Sequence, residues 1–210
     1  MEKIASKTVL IMLTSFFIIL TISAKIYPFL PFDPEISRFL QQFHPVWFDS
    51  FMRIVSYIGD GGIRAVSIIG AFLAFFLIGR QREAIFIFIS GTGSILLSLI
   101  VKFFVLRPRP DLLTGQNSYF DPSFSYPSGH ALFVVGFYGF LLFLTITNTS
   151  FRKTLPGKLL IVLFSMLIVL IGVSRIYLGM HWFSDVLGSY LLGSIWLFVI
   201  TRLYRNLKLG

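Results

Sequence analysis

Three short polar stretches interrupt an otherwise apolar chain, and their residue types suit the handling of an oxyanion. In the last of them, residues 174–185, Arg175, His181 and Asp185 stand close together. His181 and Asp185 are four apart, so a helix through this stretch puts both on one face, where a carboxylate fixes the orientation and tautomer of an imidazole. That is a nucleophile or base with its orienting partner. The middle stretch is Tyr126-Pro127-Ser128-Gly129-His130. A Pro-Ser-Gly start leaves backbone N–H groups and a hydroxyl at the positive end of a helix, which makes an anion site. Capping by Ser128 accounts for the serine but not for His130. The earliest stretch, residues 102–110, ends an apolar run with Lys102, Arg107 and Arg109. Alone, these cations read equally well as a snorkelling anchor.

Taken together, Lys102, Arg109, Arg175, a helix N-terminus and two histidines describe a site for a tetrahedral dianion such as phosphate. Guanidinium forks and amide N–H groups bind its oxygens and stabilise the charge that builds up on them. One histidine is then left to attack phosphorus and the other to protonate the departing oxygen. A metal scheme is disfavoured. No His-Glu-x-x-His is present, and the carboxylates on hand are Asp185 with Asp111 or Asp121. No cofactor is expected.

The elements that must carry these stretches follow from composition. With 56% hydrophobic residues and a formal charge of +9 over 210 residues, the chain has too few polar side chains to cover a soluble surface. It reads as an all-α integral membrane protein of one domain. The basic residues sit at the ends of apolar runs rather than in one aromatic-laced patch, which argues against nucleic acid as a partner. With no cysteine, nothing rests on disulfides. Apolar runs over 8–24, 63–79, 84–106, 129–147, 159–178 and 184–203 predict six transmembrane helices, each near the roughly 20 residues that cross a bilayer core. The first is read as a retained span, not a cleaved leader.

Between the first two spans, residues 36–43 and 46–58 mix apolar residues with Arg38, Gln41, Asp49 and Arg53, which predicts interfacial amphipathic helices. Asp33-Pro34-Glu35 predicts the start of the first of these, with Asp33 as its capping carboxylate. His44 is read as an interface residue outside the site. Gly91 and Gly93 predict close helix contact in the third span. Residues 107–127 form a proline-rich loop long enough to expect a function.

Six spans put Lys3, Lys7, Arg80, Arg82, Arg152, Lys153, Lys158, Arg202, Arg205 and Lys208 on one side. The other side holds Lys25, Arg38, Arg53 and Arg64 besides the motif cations. The positive-inside rule then places both termini in the cytoplasm and all three polar stretches on the extracytoplasmic face of the cell membrane.

In order and spacing, Lys102-x6-Arg109-Pro110, Pro127-Ser128-Gly129-His130 and Ser174-Arg175-x5-His181-x3-Asp185 resemble the three-part signature of the type 2 phosphatidic acid phosphatase (PAP2) superfamily. Its members include bacterial membrane lipid phosphatases and soluble haloperoxidases. The resemblance implies a PAP2-like helical core and metal-independent catalysis. It also implies that His181 is the nucleophile forming a phosphohistidine, Asp185 its support, and His130 the general acid. Lys102, Arg109, Ser128, Gly129 and Arg175 would hold the phosphate. The expected partner is a lipid phosphate within the bilayer: phosphatidylglycerol phosphate, undecaprenyl pyrophosphate, phosphatidic acid or diacylglycerol pyrophosphate. A phosphotransferase passing the group to another acceptor is the alternative. A non-enzymatic lipid-phosphate binder or transporter would leave the His181/Asp185 pair idle.

Overall fold

The computed structural model describes residues 2–110 and 124–207, with side chains from residue 7 onward. Asp111, Asp121, Lys208 and most of the 107–127 loop lie outside the described residues. The elements are α1 (Glu2–Ile26), α2 (Asp33–Gln41), α3 (Val46–Tyr57), α4 (Gly61–Leu77), α5 (Gln81–Val105), α6 (Gly129–Thr147), α7 (Leu155–Tyr177) and α8 (Phe183–Asn206).

In a bilayer the backbone must satisfy its own hydrogen bonds, so a long apolar run becomes a helix. Among the described residues, five helices are long and apolar enough to cross: α1 over Lys7–Ile26, α5, α6, α7 and α8. The chain is a multi-pass membrane protein. The predicted second span differs. α4 has 17 residues and follows α3 across a bend of 54°, so the two form one bent pair. Gly59-Asp60-Gly61-Gly62 causes the break, since glycine is the poorest ordinary helix former after proline.

Within α6, residues Val134–Tyr138 make one π-helical turn. The hydroxyl of Ser90 donates to the Gly136 carbonyl of that turn at 3.0 Å. The buried centre is aromatic and aliphatic, with Phe133 stacked on Phe137 at 5.0 Å and Phe86, Phe140 and Tyr204 packed edge to face beside them. Lipid tails are as apolar as these side chains, so association rests on close packing. Gly91 and Gly93 supply it as expected. A Cβ on Gly91 would stand 2.6 Å from Ile68 of α4, and one on Gly93 would stand 2.2 Å from Trp196 of α8. Ile19, Leu77, Leu96, Phe103, Leu155 and Val169 point outward as a belt suited to lipid.

The chain brings one set of helix ends together. Lys25 at the end of α1 donates to the carbonyl of Phe104 near the end of α5, and Thr21 shares a 2.9 Å hydrogen bond with Tyr126 just before α6. At the other end of the bundle Arg82 lies 4.3 Å over the Tyr204 ring, and Tyr204 donates to Glu83. The three polar stretches gather at the first end. The beginning of α1 and the end of α8 lie at the other.

Candidate active site

The site starts with how α7 stops. Gly179 takes φ +68°, a left-handed conformation that glycine adopts without a Cβ clash. Its N–H donates to Ile176 O at 3.0 Å, and Met180 N–H donates to Arg175 O at 3.1 Å. This pair of bonds is a Schellman ending, and it turns the chain out of the helix. Residues 178–182 are therefore not helical, which corrects the expectation that one helix carries both His181 and Asp185. Asp185 instead sits in the first turn of α8 and folds back. Its Oδ2 accepts from Trp182 N–H at 2.9 Å and lies 3.4 Å from His181 Nδ1. The pair meets across a helix start rather than along a helix.

Sequence reasoning set Arg107 aside, and the structure gives it a different task from Arg109. Arg107 is fully buried. Its Nη1 donates to Asp185 Oδ1 at 2.5 Å and to Ser184 Oγ at 2.7 Å, its Nη2 to Asp33 Oδ2 at 3.0 Å, and its Nε to Pro28 O at 3.1 Å. Asp33 does not cap its own helix, as the sequence suggested. Position 32 is the N-cap of α2, and no side chain caps it. The Asp33 carboxylate accepts from Leu30 N–H at 2.8 Å, from Ser184 N–H at 2.8 Å and from Ser184 Oγ–H at 2.6 Å. It thus satisfies a free amide at the start of α8, where negative charge is favoured. The chain turns inward to Arg107 through Leu106, a left-handed residue (φ 59°) that caps α5. Ser125 N–H bonds Arg107 O at 2.8 Å and closes the loop neck.

Arg109 faces His181. Its Nη1 donates to Met180 O at 2.9 Å and lies 3.3 Å from His181 Nε2. Lys102, on the last turn of α5, donates to the Phe124 carbonyl. Arg175 is buried, with Nη1 on Ser56 Oγ of α3 at 2.5 Å. Ser128 is the N-cap of α6, yet its side chain makes no capping bond. Its Oγ is buried with no hydrogen-bond partner, so capping does not explain it. The Ser128 backbone is tied to the first turn of α8: its N–H donates to Asp185 O at 3.4 Å and its carbonyl accepts from Ser189 Oγ at 3.0 Å. Gly129 places its Cα hydrogens toward Ser98 Oγ and Arg64 Nη1, 3.2 and 3.8 Å from where a Cβ would stand.

His130 projects from the first turn of α6 toward the α3–α4 turn. Its Nε2 is 2.8 Å from Asp60 Oδ1, and a Cβ on Gly59 would stand 2.3 Å from its ring. Ser56, Gly59 and Asp60 escaped sequence reasoning, and Arg64 entered only as a charge to be counted. The Gly-Asp-Gly-Gly run was the one local signal that a tight turn approaches something closely.

The electrostatics bring the two histidines under the same charges. Arg109, Arg175 and Lys102 act on both rings, and Arg64 also acts on His130. Burial, then Arg109 and Arg175, hold the His181 imidazole well below its ordinary titration range, so it is neutral at physiological pH. A neutral ring with Nδ1 toward Asp185 presents the Nε2 lone pair toward Arg109. His44 lies apart, 3.5 Å from Asp49 and 3.3 Å from Tyr177 Oη.

The chain is similar to several known proteins. The sequence pattern of the PAP2 superfamily matches residues 82–209. Phosphatidylglycerophosphatase B of Bacillus subtilis is 27% identical over 178 residues, 84% of this chain and 85% of its own length. An undecaprenyl-diphosphatase of Sulfolobus acidocaldarius is 31% identical over 117 residues, 54% of this chain and 52% of its own. The crystal structure of a transmembrane PAP2-type phosphatidylglycerolphosphate phosphatase from Bacillus subtilis superposes with a TM-score of 0.80 at 24% identity, covering 95% of this chain and 98% of that one.

Proposed function

The chain belongs to the PAP2 superfamily, and from that premise we propose that it hydrolyses the terminal phosphate of a lipid phosphate or diphosphate through a phosphohistidine. The observation that carries this reading is Arg109 Nη1 lying 3.3 Å from His181 Nε2. A phosphate held by that guanidinium is delivered to the one ring nitrogen of His181 that Asp185 leaves open.

In the first step, His181 Nε2 forms a bond to phosphorus while the bond from phosphorus to the lipid oxygen breaks. His130 gives that oxygen a proton. Lys102, Arg109, Arg175, the orphaned Ser128 hydroxyl and the amide N–H groups at the start of α6 bind the three phosphoryl oxygens, whose charge they stabilise most when they are preorganised. In the second step, water gives a proton to His130 and attacks phosphorus, the P–N bond breaks, and phosphate leaves. The His181 N–H toward Asp185 is kept throughout, so the carboxylate orients the ring and supports its positive charge.

We further assign the site to the extracytoplasmic end of six spans, with α3–α4 counted as one and both termini in the cytoplasm. A head group can enter there while its chains remain in the bilayer. The substrate class is that of phosphatidylglycerol phosphate, undecaprenyl pyrophosphate, phosphatidic acid and diacylglycerol pyrophosphate.

The test measures phosphate release by purified protein from those four lipids, with excess chelator present. Turnover of at least one is expected, with inhibition by vanadate and a radiolabelled, acid-labile phosphoprotein that disappears in His181→Ala. Undiminished turnover by His181→Ala would remove His181 from its role.

A further inference from the structure

We propose that Asp60 is the positioning residue of His130: its carboxylate fixes the ring so that Nδ1 meets the leaving-group oxygen, and it supports the protonated form that donates. The proposal rests on the general-acid role just given to His130. Asp60 lies outside the segments that drew attention in the sequence, and the turn that carries it lies before the family match begins.

The case begins with an unused opportunity. Asp60 is the N-cap of α4, the position at which an aspartate ordinarily accepts a hydrogen bond from its own helix. It makes no such bond. The carboxylate is turned across to α6, where Oδ1 sits 2.8 Å from His130 Nε2. Gly59 makes the approach possible, because any Cβ there would stand 2.3 Å from the ring. The 54° bend between α3 and α4 brings this turn to His130. Stability alone is a poor reason for the arrangement. The Asp60 side chain is 48% exposed, and ion pairs at such exposure contribute little to stability.

The charges around the ring supply the reason. The positive charges of Arg175 on α7, Arg64 on α4, Arg109 and Lys102 on α5 all act on His130, and His130 in turn acts on His181. Four cations oppose a fifth positive charge on the imidazole, yet a general acid has to carry one. Asp60 is the carboxylate that touches the ring and offsets them. Holding Nε2–H, it leaves Nδ1–H to protonate the lipid oxygen in the first step. In the second, the same nitrogen, now bare, takes the proton from water. The two histidines thus carry mirrored arrangements, Nδ1 toward a carboxylate in His181 and Nε2 toward a carboxylate in His130.

The experiment uses the purified full chain with an alkyl lipid phosphate, whose leaving group needs a proton, and p-nitrophenyl phosphate, whose leaving group does not. Asp60→Asn keeps the shape and removes the charge. It is expected to lower kcat on the lipid by roughly 10- to 100-fold, a share of the 10²–10⁴ that a general acid supplies. KM and vanadate affinity should change little, and p-nitrophenyl phosphate turnover should fall only a few-fold. The alkaline limb of the lipid pH profile should move to lower pH, and Asp60→Glu should recover part of the rate. Combining Asp60→Asn with His130→Ala should cost no more than His130→Ala alone.

Equal losses on both substrates, an unmoved alkaline limb, or additive losses in the double variant would overturn the proposal. The underlying reading fails separately, if His130→Ala itself does not distinguish the two leaving groups. Melting of each variant guards against misfolding; should Asp60→Asn fail to fold, Asp60→Glu carries the same comparison, with a larger loss on the lipid than on p-nitrophenyl phosphate expected and equal losses overturning the proposal.

Discussion

Replacing Arg107 by methionine should unfold the site without touching substrate. The guanidinium holds two carboxylates, Asp33 and Asp185, whose side chains are both 0% exposed. It also donates to Ser184 Oγ and Pro28 O. Removing one partner of a buried ionic cluster costs about 3–5 kcal/mol, because the remaining charge is stranded. Here two charges are stranded side by side, so the upper part of that range applies. For a chain of this size each kcal/mol corresponds to roughly 2–4 °C of melting temperature, which gives a drop on the order of 10 °C or more. Melting of purified protein in detergent reads this directly. Arg109→Met serves as the contrast: it should abolish turnover while keeping most of the wild-type melting temperature, since its guanidinium donates to Met180 O and faces His181 Nε2, the nitrogen read as the nucleophile. Adding Asp33→Leu to Arg107→Met should recover part of the loss, with a coupling of about 0.5–3 kcal/mol. If Arg107→Met melts with the wild type, or if the double variant is additive, the buried cluster does not hold the site.

Three further outcomes are expected. Ser128→Ala should leave melting within about 0.5 kcal/mol of wild type, whereas loss of a working cap costs about 1 kcal/mol, and it should weaken vanadate inhibition; a clear destabilisation would restore the capping role. Leu106→Gly should be neutral to stabilising, because the left-handed backbone costs leucine roughly 1–2 kcal/mol and glycine gives back about 0.5–1 kcal/mol in entropy, while Leu106→Val should destabilise; melting temperatures ordered the other way would refute this. His181 binds its proton less readily folded than unfolded. The stability it contributes is present above its ordinary value of 6.5 and is lost as pH falls below it, so His181→Asn should melt with a shallower decline than wild type on going from pH 7 to about pH 5.

Much of the architecture was legible because a bilayer leaves so few choices. An apolar run of about 20 residues has one way to satisfy its backbone, and the runs over 84–106, 129–147 and 184–203 became α5, α6 and α8. Spacing also separated Arg109 from Arg107, and the structure gives the two different neighbours. What stayed hidden was every polar residue with a sufficient local explanation. Asp33 beside Pro34 looked like a cap for α2, yet besides Leu30 its carboxylate meets Arg107 and Ser184, 74 and 151 residues away. Asp60 drew no reading at all, and Arg64 looked like a topology charge. Periodicity misled at His181, because the helix ends at Tyr177 and Gly179 turns the chain away. A glycine just past an apolar run is itself the ending signal, and it was available in the sequence.

The charge cluster at the head of α8 joins parts of the chain that a motif search would treat separately. Asp33, Ser56, Asp60 and Arg64 all precede residue 82, where the family pattern begins, yet each contacts or acts on a residue inside it. A protein trimmed to the patterned segment would therefore keep every signature letter while losing an acceptor from Arg107, from Arg175 and from His130. Exchanging the first third of this chain between relatives is a way to retune catalysis from a distance, with no signature residue altered.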